Sequence, residues 1–172
     1  MTAAVTTTAP GGPVAAELPF FVYGTLLPGE PNHDLFLRGR TAGERPAVLP
    51  RALLYDGPGY PYAIEGHGRV HGTLLVAAPG IYGELLGLLD HLEEFLGPGH
   101  PRNLYERVVR EVELLAQGAS DGGEESVRAW VYLAAAAVTR SLRTGGVLIP
   151  EGRWTRSSPS GGQGRNPGGG ER

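Results

Sequence analysis

Apolar residues in this chain fall into short runs broken by Gly and Pro, with one exception. Ile81, Leu85, Leu88, Leu89 and Leu92 recur at the i, i+4, i+7, i+8, i+11 spacing of a single helical face. Pro79-Gly80 precede that segment and Gly97-Pro98-Gly99 follow it, so the pattern predicts one amphipathic helix between them. The remaining runs read as strands. Leu18 to Tyr23 (LPFFVY) is a short continuous apolar run that stops at Gly24, as a strand buried on both faces would. Ala47 to Asp56, Arg69 to Ala77, Leu104 to Leu115 and Val127 to Ala136 read as strands, the last two divided by a polar loop, Gly118–Glu125. Val147 to Ile149 is a short final strand, and Asn32 to Leu37 a helical turn after Pro31. Several strands with one strong helix predict an α+β domain whose sheet is closed or strongly curled.

Composition sets the limits of this domain. Gly (28) and Pro (15) make a quarter of the 172 residues, and the two ends differ from the rest in having little else that could be buried. Residues 1–17 are mostly Ala, Thr, Gly and Pro, and residues 153–172 are Gly, Ser, Pro and Arg with one Trp. Both ends are expected to be disordered, leaving a folded unit at 18–152. The N-terminus lacks a basic start followed by an apolar run, so no secretory signal is read and a cytoplasmic location is expected. No run reaches the roughly 18 apolar residues of a membrane helix.

Charge and missing residue types narrow the chemistry. The net charge is -3, which argues against nucleic acid or an anionic membrane as partner. All 15 basic residues are Arg, and Cys is absent. Without Lys there is no P-loop lysine and no Schiff base; without Cys there is no thiolate nucleophile and no Cys-bearing metal site. Two patterns look like chemistry and are not. Gly118-Ala119-Ser120-Asp121-Gly122 fits G-x-S-x-G, but it lies in a polar loop and all five His precede it, whereas that hydrolase order needs His downstream. His67 and His71 sit on a strand-like run, where their rings would be roughly 13 Å apart, too far for one metal.

Three constellations remain. The turn Tyr23-Gly24-Thr25-Leu26 ends a strand and can present successive backbone N–H groups to an oxyanion. On a helical wheel of about 100° per residue, Glu93 lies beside Leu86 and Leu89 on the flank of the buried face. Glu94 falls on the solvent side, with Gly83, Gly87 and Asp90. Glu93 is therefore the carboxylate expected to lose water and gain basicity. Tyr105 and Arg107, two apart on a strand, share one sheet face.

Together these segments resemble the γ-glutamylcyclotransferase family. The resemblance rests on Val22-Tyr23-Gly24-Thr25-Leu26 with Gly29 and Asn32-His33, on Tyr60-Pro61, on Val70-His71-Gly72-Thr73-Leu74, on Leu89-Asp90-His91-Leu92-Glu93, and on Tyr105-x-Arg107. It spans roughly residues 19–135. Glu94 stands where the family often has Gly, and the stretch from Glu94 to Leu104 is long. The resemblance implies a small mixed β-barrel with flanking helices. It also implies release of 5-oxoproline from a small γ-glutamyl compound, with Glu93 as the catalytic acid/base and no metal or cofactor. Tyr23, Gly24, Thr25, Leu26, Tyr105 and Arg107 would bind substrate, with Arg107 orienting Glu93 or holding a carboxylate. The leaving amine and the oligomeric state stay open. Rival readings are a non-catalytic binder of the same fold, an interaction module docking through its Gly/Arg tail, and an amidohydrolase releasing glutamate.

Overall fold

A computed structural model describes residues 17–57, 60–115 and 123–155. Its strands are β1 (Phe20–Val22), β2 (Thr41–Asp56), β3 (Tyr62–Ala77), β4 (Tyr105–Leu115), β5 (Gly123–Ala134) and β6 (Val147–Leu148). Two helices, α1 (Tyr82–Leu92) and α2 (Ala136–Gly145), flank them, and a single π turn occupies His33–Leu37. The sheet runs β3-β1-β5-β4-β2-β6, and a further β2–β3 pairing closes β1 to β5 into a mixed five-stranded barrel. β1 is antiparallel to β3 and parallel to β5, with Phe21 opposite both Leu74 and Val131.

The alternation of side chains explains why LPFFVY is apolar throughout. Phe21 and Tyr23 point into the barrel with Leu54, Val70, Leu74, Val112, Ala129, Val131 and Leu133. Phe20 and Val22 point outward, beneath Leu85 and Leu89 of α1, with Tyr62, Tyr105 and Tyr132 in the same outer cluster. Leu85 and Leu89 are wholly buried, each contributing about 2 kcal/mol. β1 is thus covered on both faces.

Several elements depart from the sequence pattern. β2 and β3 are much longer than their apolar runs, because they pair with each other from Thr41↔Ala77 to Tyr55↔Tyr62. Backbone pairing carries them through polar stretches that hydrophobicity does not mark. β5 begins at Gly123, inside the expected polar loop, and stops at Ala134. The chain then turns into α2, which the alanine run conceals. Its residues are all at least partly exposed, with Val138 and Leu142 packed on the outer cluster. The folded unit also reaches past residue 152, since Trp154 is 7% exposed and packs in the barrel core beside Ile149. The G-x-S-x-G match lies outside the described residues. His67 and His71 do lie on a strand, β3. Among the described residues no helix is long and apolar enough to cross a membrane.

Candidate active site

One end of the barrel gathers most of the residues singled out above. β1 delivers Tyr23, and the chain then turns tightly: the Leu27 N–H donates to the Gly24 carbonyl at 2.9 Å. Such a turn does not use the amides of its central residues, here Thr25 and Leu26. Gly24 is required for space, because a Cβ there would stand 2.7 Å from Cδ of Pro61.

α1 supplies the carboxylate. The helix ends at Leu92, earlier than the wheel supposed, and Glu93 is its C-cap, with its N–H on the Leu89 carbonyl at 2.9 Å. Glu94 follows in the left-handed region, φ 54°, a position that usually falls to Gly. The two neighbouring carboxylates therefore leave the helix in different backbone conformations. Glu93 lines an inner pocket with Tyr23, Gly24, Thr25, Leu26, Tyr60, Pro61, Tyr105 and Tyr132. It also lines a wider outer cavity of about 340 Å³, with Asn32 and Glu94 among its walls.

Tyrosines dominate the electrostatics. The Tyr23 hydroxyl donates to the Tyr132 carbonyl at 2.6 Å and accepts the Ala63 N–H at 3.1 Å, so it ties β1 to β5 and β3. The Tyr105 hydroxyl donates to the Pro61 carbonyl at 2.7 Å, and its ring stacks on Tyr62 at 4.8 Å between centroids. Burial, reinforced by the negative charge of Glu93, holds the phenols of Tyr23 and Tyr105 far above the usual range, so they stay neutral. Glu93 is only partly covered as a residue, yet desolvation pushes its pKa up to about 7. A group that titrates there can both take and give a proton near neutrality.

Arg107 is placed elsewhere. It shares a face with Tyr105 on β4, but its Nε donates to Asp90 Oδ1 at 2.8 Å, and its guanidinium lies 4.2 Å from the Trp130 ring centroid and 5.2 Å from that of Phe95. It lines neither the inner pocket nor the outer cavity. Asp90 is accordingly not on the solvent side: the same Oδ1 accepts the Tyr132 hydroxyl at 2.6 Å. Glu106, on the opposite face, fastens the long loop instead. It accepts the Gly99 N–H and the Asn103 side-chain amide, while Asn103 Oδ1 takes the Leu96 N–H.

Asn32, Tyr60, Pro61 and Tyr132 also line the site, beyond the residues that the sequence singles out. Asn32, Tyr60 and Pro61 are visible there only as parts of family segments. Tyr132 carries no local signal; it is found only through the β4–β5 register, where it faces Arg107. A separate cavity, between the β2–β3 hairpin and strands β4 and β5, has Arg51, His67, Arg110 and Leu133 among its walls and holds none of the expected site residues. Among the described residues no three metal-ligating side chains cluster.

Comparison with known proteins follows the same outline. Part of the chain is 37% identical over 92 residues to the gamma-L-glutamyl-butirosin B gamma-glutamyl cyclotransferase of Niallia circulans, 54% of this chain and 56% of that protein. A Vibrio cholerae relative is 38% identical over 74 residues, 43% of this chain and 60% of its own length. The chain thus spans under two thirds of both curated relatives. Among solved structures, the crystal structure of an AIG2-like protein from Mus musculus superposes with a TM-score of 0.60 at 23% identity, covering 84% of this chain and 92% of that one. That likeness concerns the fold. Residues 20–156, the whole barrel with its site-bearing end, match the family described as gamma-glutamyl cyclotransferase, AIG2-like, and the chain belongs to that family.

Proposed function

We propose that this protein is a γ-glutamylcyclotransferase, acting on a small γ-glutamyl compound with Glu93 as its general acid and base. The observation that carries the reading is a single desolvated carboxylate, with its pKa up to about 7, set in one pocket with the turn Gly24–Leu26. The nucleophile travels with the substrate. Its α-amine attacks its own γ-carbonyl carbon, forming the ring C–N bond, and the bond from that carbon to the leaving nitrogen breaks. Glu93 relays two protons in turn from the α-nitrogen, one from the α-ammonium before attack and one from the ring nitrogen of the adduct, to the departing nitrogen, which leaves as an ammonium, so the protein ends as it began. The amides of Thr25 and Leu26 face the charge that develops on the carbonyl oxygen. Tyr23 and Tyr105, neutral and pinned by their own hydrogen bonds, wall the pocket and hold the folded substrate pose. Such positioning contributes up to about 7–11 kcal/mol in favourable systems.

The membership of the family and the name of the Niallia circulans relative support the same chemistry. No Lys or Cys is available as an alternative nucleophile. The test is a panel of γ-glutamyl amides followed by mass detection. 5-Oxoproline supports the proposal; glutamate, heavier by one water, would show hydrolysis instead. Binding without any turnover would point to a non-catalytic member of the fold.

A further inference from the structure

From the outer cavity we infer that Glu94 selects the leaving group, favouring γ-glutamyl amides whose departing amine carries a second positive charge. The inference rests on the cyclotransferase reading and concerns the other side of the scissile bond. The departing nitrogen must take its proton from Glu93, and Glu93 is shared by the inner pocket and the outer cavity. With the γ-glutamyl part against the Gly24–Leu26 turn, the rest of the substrate extends into the outer cavity.

That cavity has a definite electrical character. Its described walls are Thr25, Leu26, Asn32, Tyr60, Leu92, Glu93, Glu94, Leu104 and Tyr105, which include two acidic residues and no basic one. Arg107, the nearby cation on β4, is occupied by Asp90. Glu94 is exposed, lines this cavity and has no ion pair among the described residues. Tyr60 and Tyr105 add aromatic rings to the same wall, and aromatic rings attract cations. A carboxylate on the leaving group would meet like charge here, and an ammonium would meet its complement. The left-handed backbone at φ 54° is one a glycine would adopt more easily, so a charged side chain is held there against local preference.

The experiment compares three γ-glutamyl amides of equal length, ending in an ammonium, a methyl or a carboxylate group. kcat/KM is read from 5-oxoproline release. The wild-type chain should prefer the ammonium over the methyl end by roughly tenfold at low salt, with the carboxylate end slowest. The preference should shrink as salt is added. Glu94→Gln should bring the ammonium-to-methyl ratio close to one. Glu94→Gly should do the same while raising Tm, which separates loss of charge from loss of fold. Unchanged ratios in both variants, or a wild-type preference for the carboxylate end, would overturn the role of Glu94 and leave the cyclisation intact. Release of 5-oxoproline from none of the three would overturn both.

Discussion

Arg107 is joined to Asp90, not to Glu93: its Nε donates to Asp90 Oδ1 at 2.8 Å, and the Tyr132 hydroxyl shares that oxygen at 2.6 Å. The three residues bind the last turn of α1 to β4 and β5. Asp90 also accepts, through its backbone carbonyl, the Phe95 N–H at 2.9 Å. One residue therefore anchors both the helix and the chain beyond Glu93. Arg107→Met should lower stability by about 2–3 kcal/mol in urea unfolding, because it strands a partly buried Asp90 carboxylate and removes the cation from the faces of Phe95 and Trp130. Arg107→Lys should recover little of this, since an ammonium lacks the flat guanidinium that stacks there.

Glu93→Gln should abolish 5-oxoproline release, with kcat down by about 10²–10⁴ or more. The same substitution should stabilise the protein in a pH-dependent way. A carboxyl whose pKa rises from 4.5 unfolded to about 7 folded favours the folded state fully below pH 4.5, and that advantage is lost as pH climbs through 7. The gain from Gln should thus be small at pH 4 and reach up to about 3 kcal/mol at pH 8. Thermal unfolding at the two pH values checks it; an equal gain at both would mean that Glu93 is not desolvated in the folded protein.

The pH dependence of catalysis follows from the same group. Glu93 must begin as a carboxylate, so kcat/KM should rise with pH and level off above about 7. Initial rates across a constant-ionic-strength buffer series measure this. A rising limb centred near 4.5 would place the base in open solvent.

Gly24→Ala should impair the site more than the fold. The new Cβ meets the Pro61 ring at 2.7 Å, so the Tyr60–Pro61 segment or the turn has to move, at about 1–3 kcal/mol. Because Tyr60, Pro61, Thr25 and Leu26 all line the inner pocket, kcat should fall while circular dichroism stays unchanged.

Trp154→Ala should cost about 3–5 kcal/mol by leaving a hole at the end of the barrel. A chain cut after residue 152 should be destabilised similarly, which differential scanning calorimetry would show.

The sequence made some of these features legible and hid others, for reasons that depend on range. Periodicity located α1, and apolar continuity located β1, because both signals are contained in a few consecutive residues. The turn after Tyr23 and the choice of Glu93 for the pocket followed from those elements. The end of α1 was misplaced, since a wheel continues indefinitely and the left-handed conformation of Glu94 leaves no mark on apolar spacing. Arg107 and Asp90 were given the wrong neighbours, because their meeting is set by how α1 crosses β4. Tyr132 was missed because only strand register brings it to the pocket. α2 lies behind an alanine run that carries no period, and Trp154 sits in a segment whose other residues are small or polar.

The parallel pairing of β1 with β5 bears on how the molecule is made. The hydrogen bond from Tyr23 to Tyr132 joins residues 109 positions apart in the chain. β1 leaves the ribosome first but has no second neighbour until β5 has been synthesised. Closure of so distant a contact carries a high entropic cost and is slow compared with the hairpin β2–β3. Since β1 also carries the turn Gly24–Leu26, the same late event that seals the barrel sets that turn against the end of α1. Partly folded chains therefore have no assembled pocket, and recovery of activity during refolding should coincide with barrel closure.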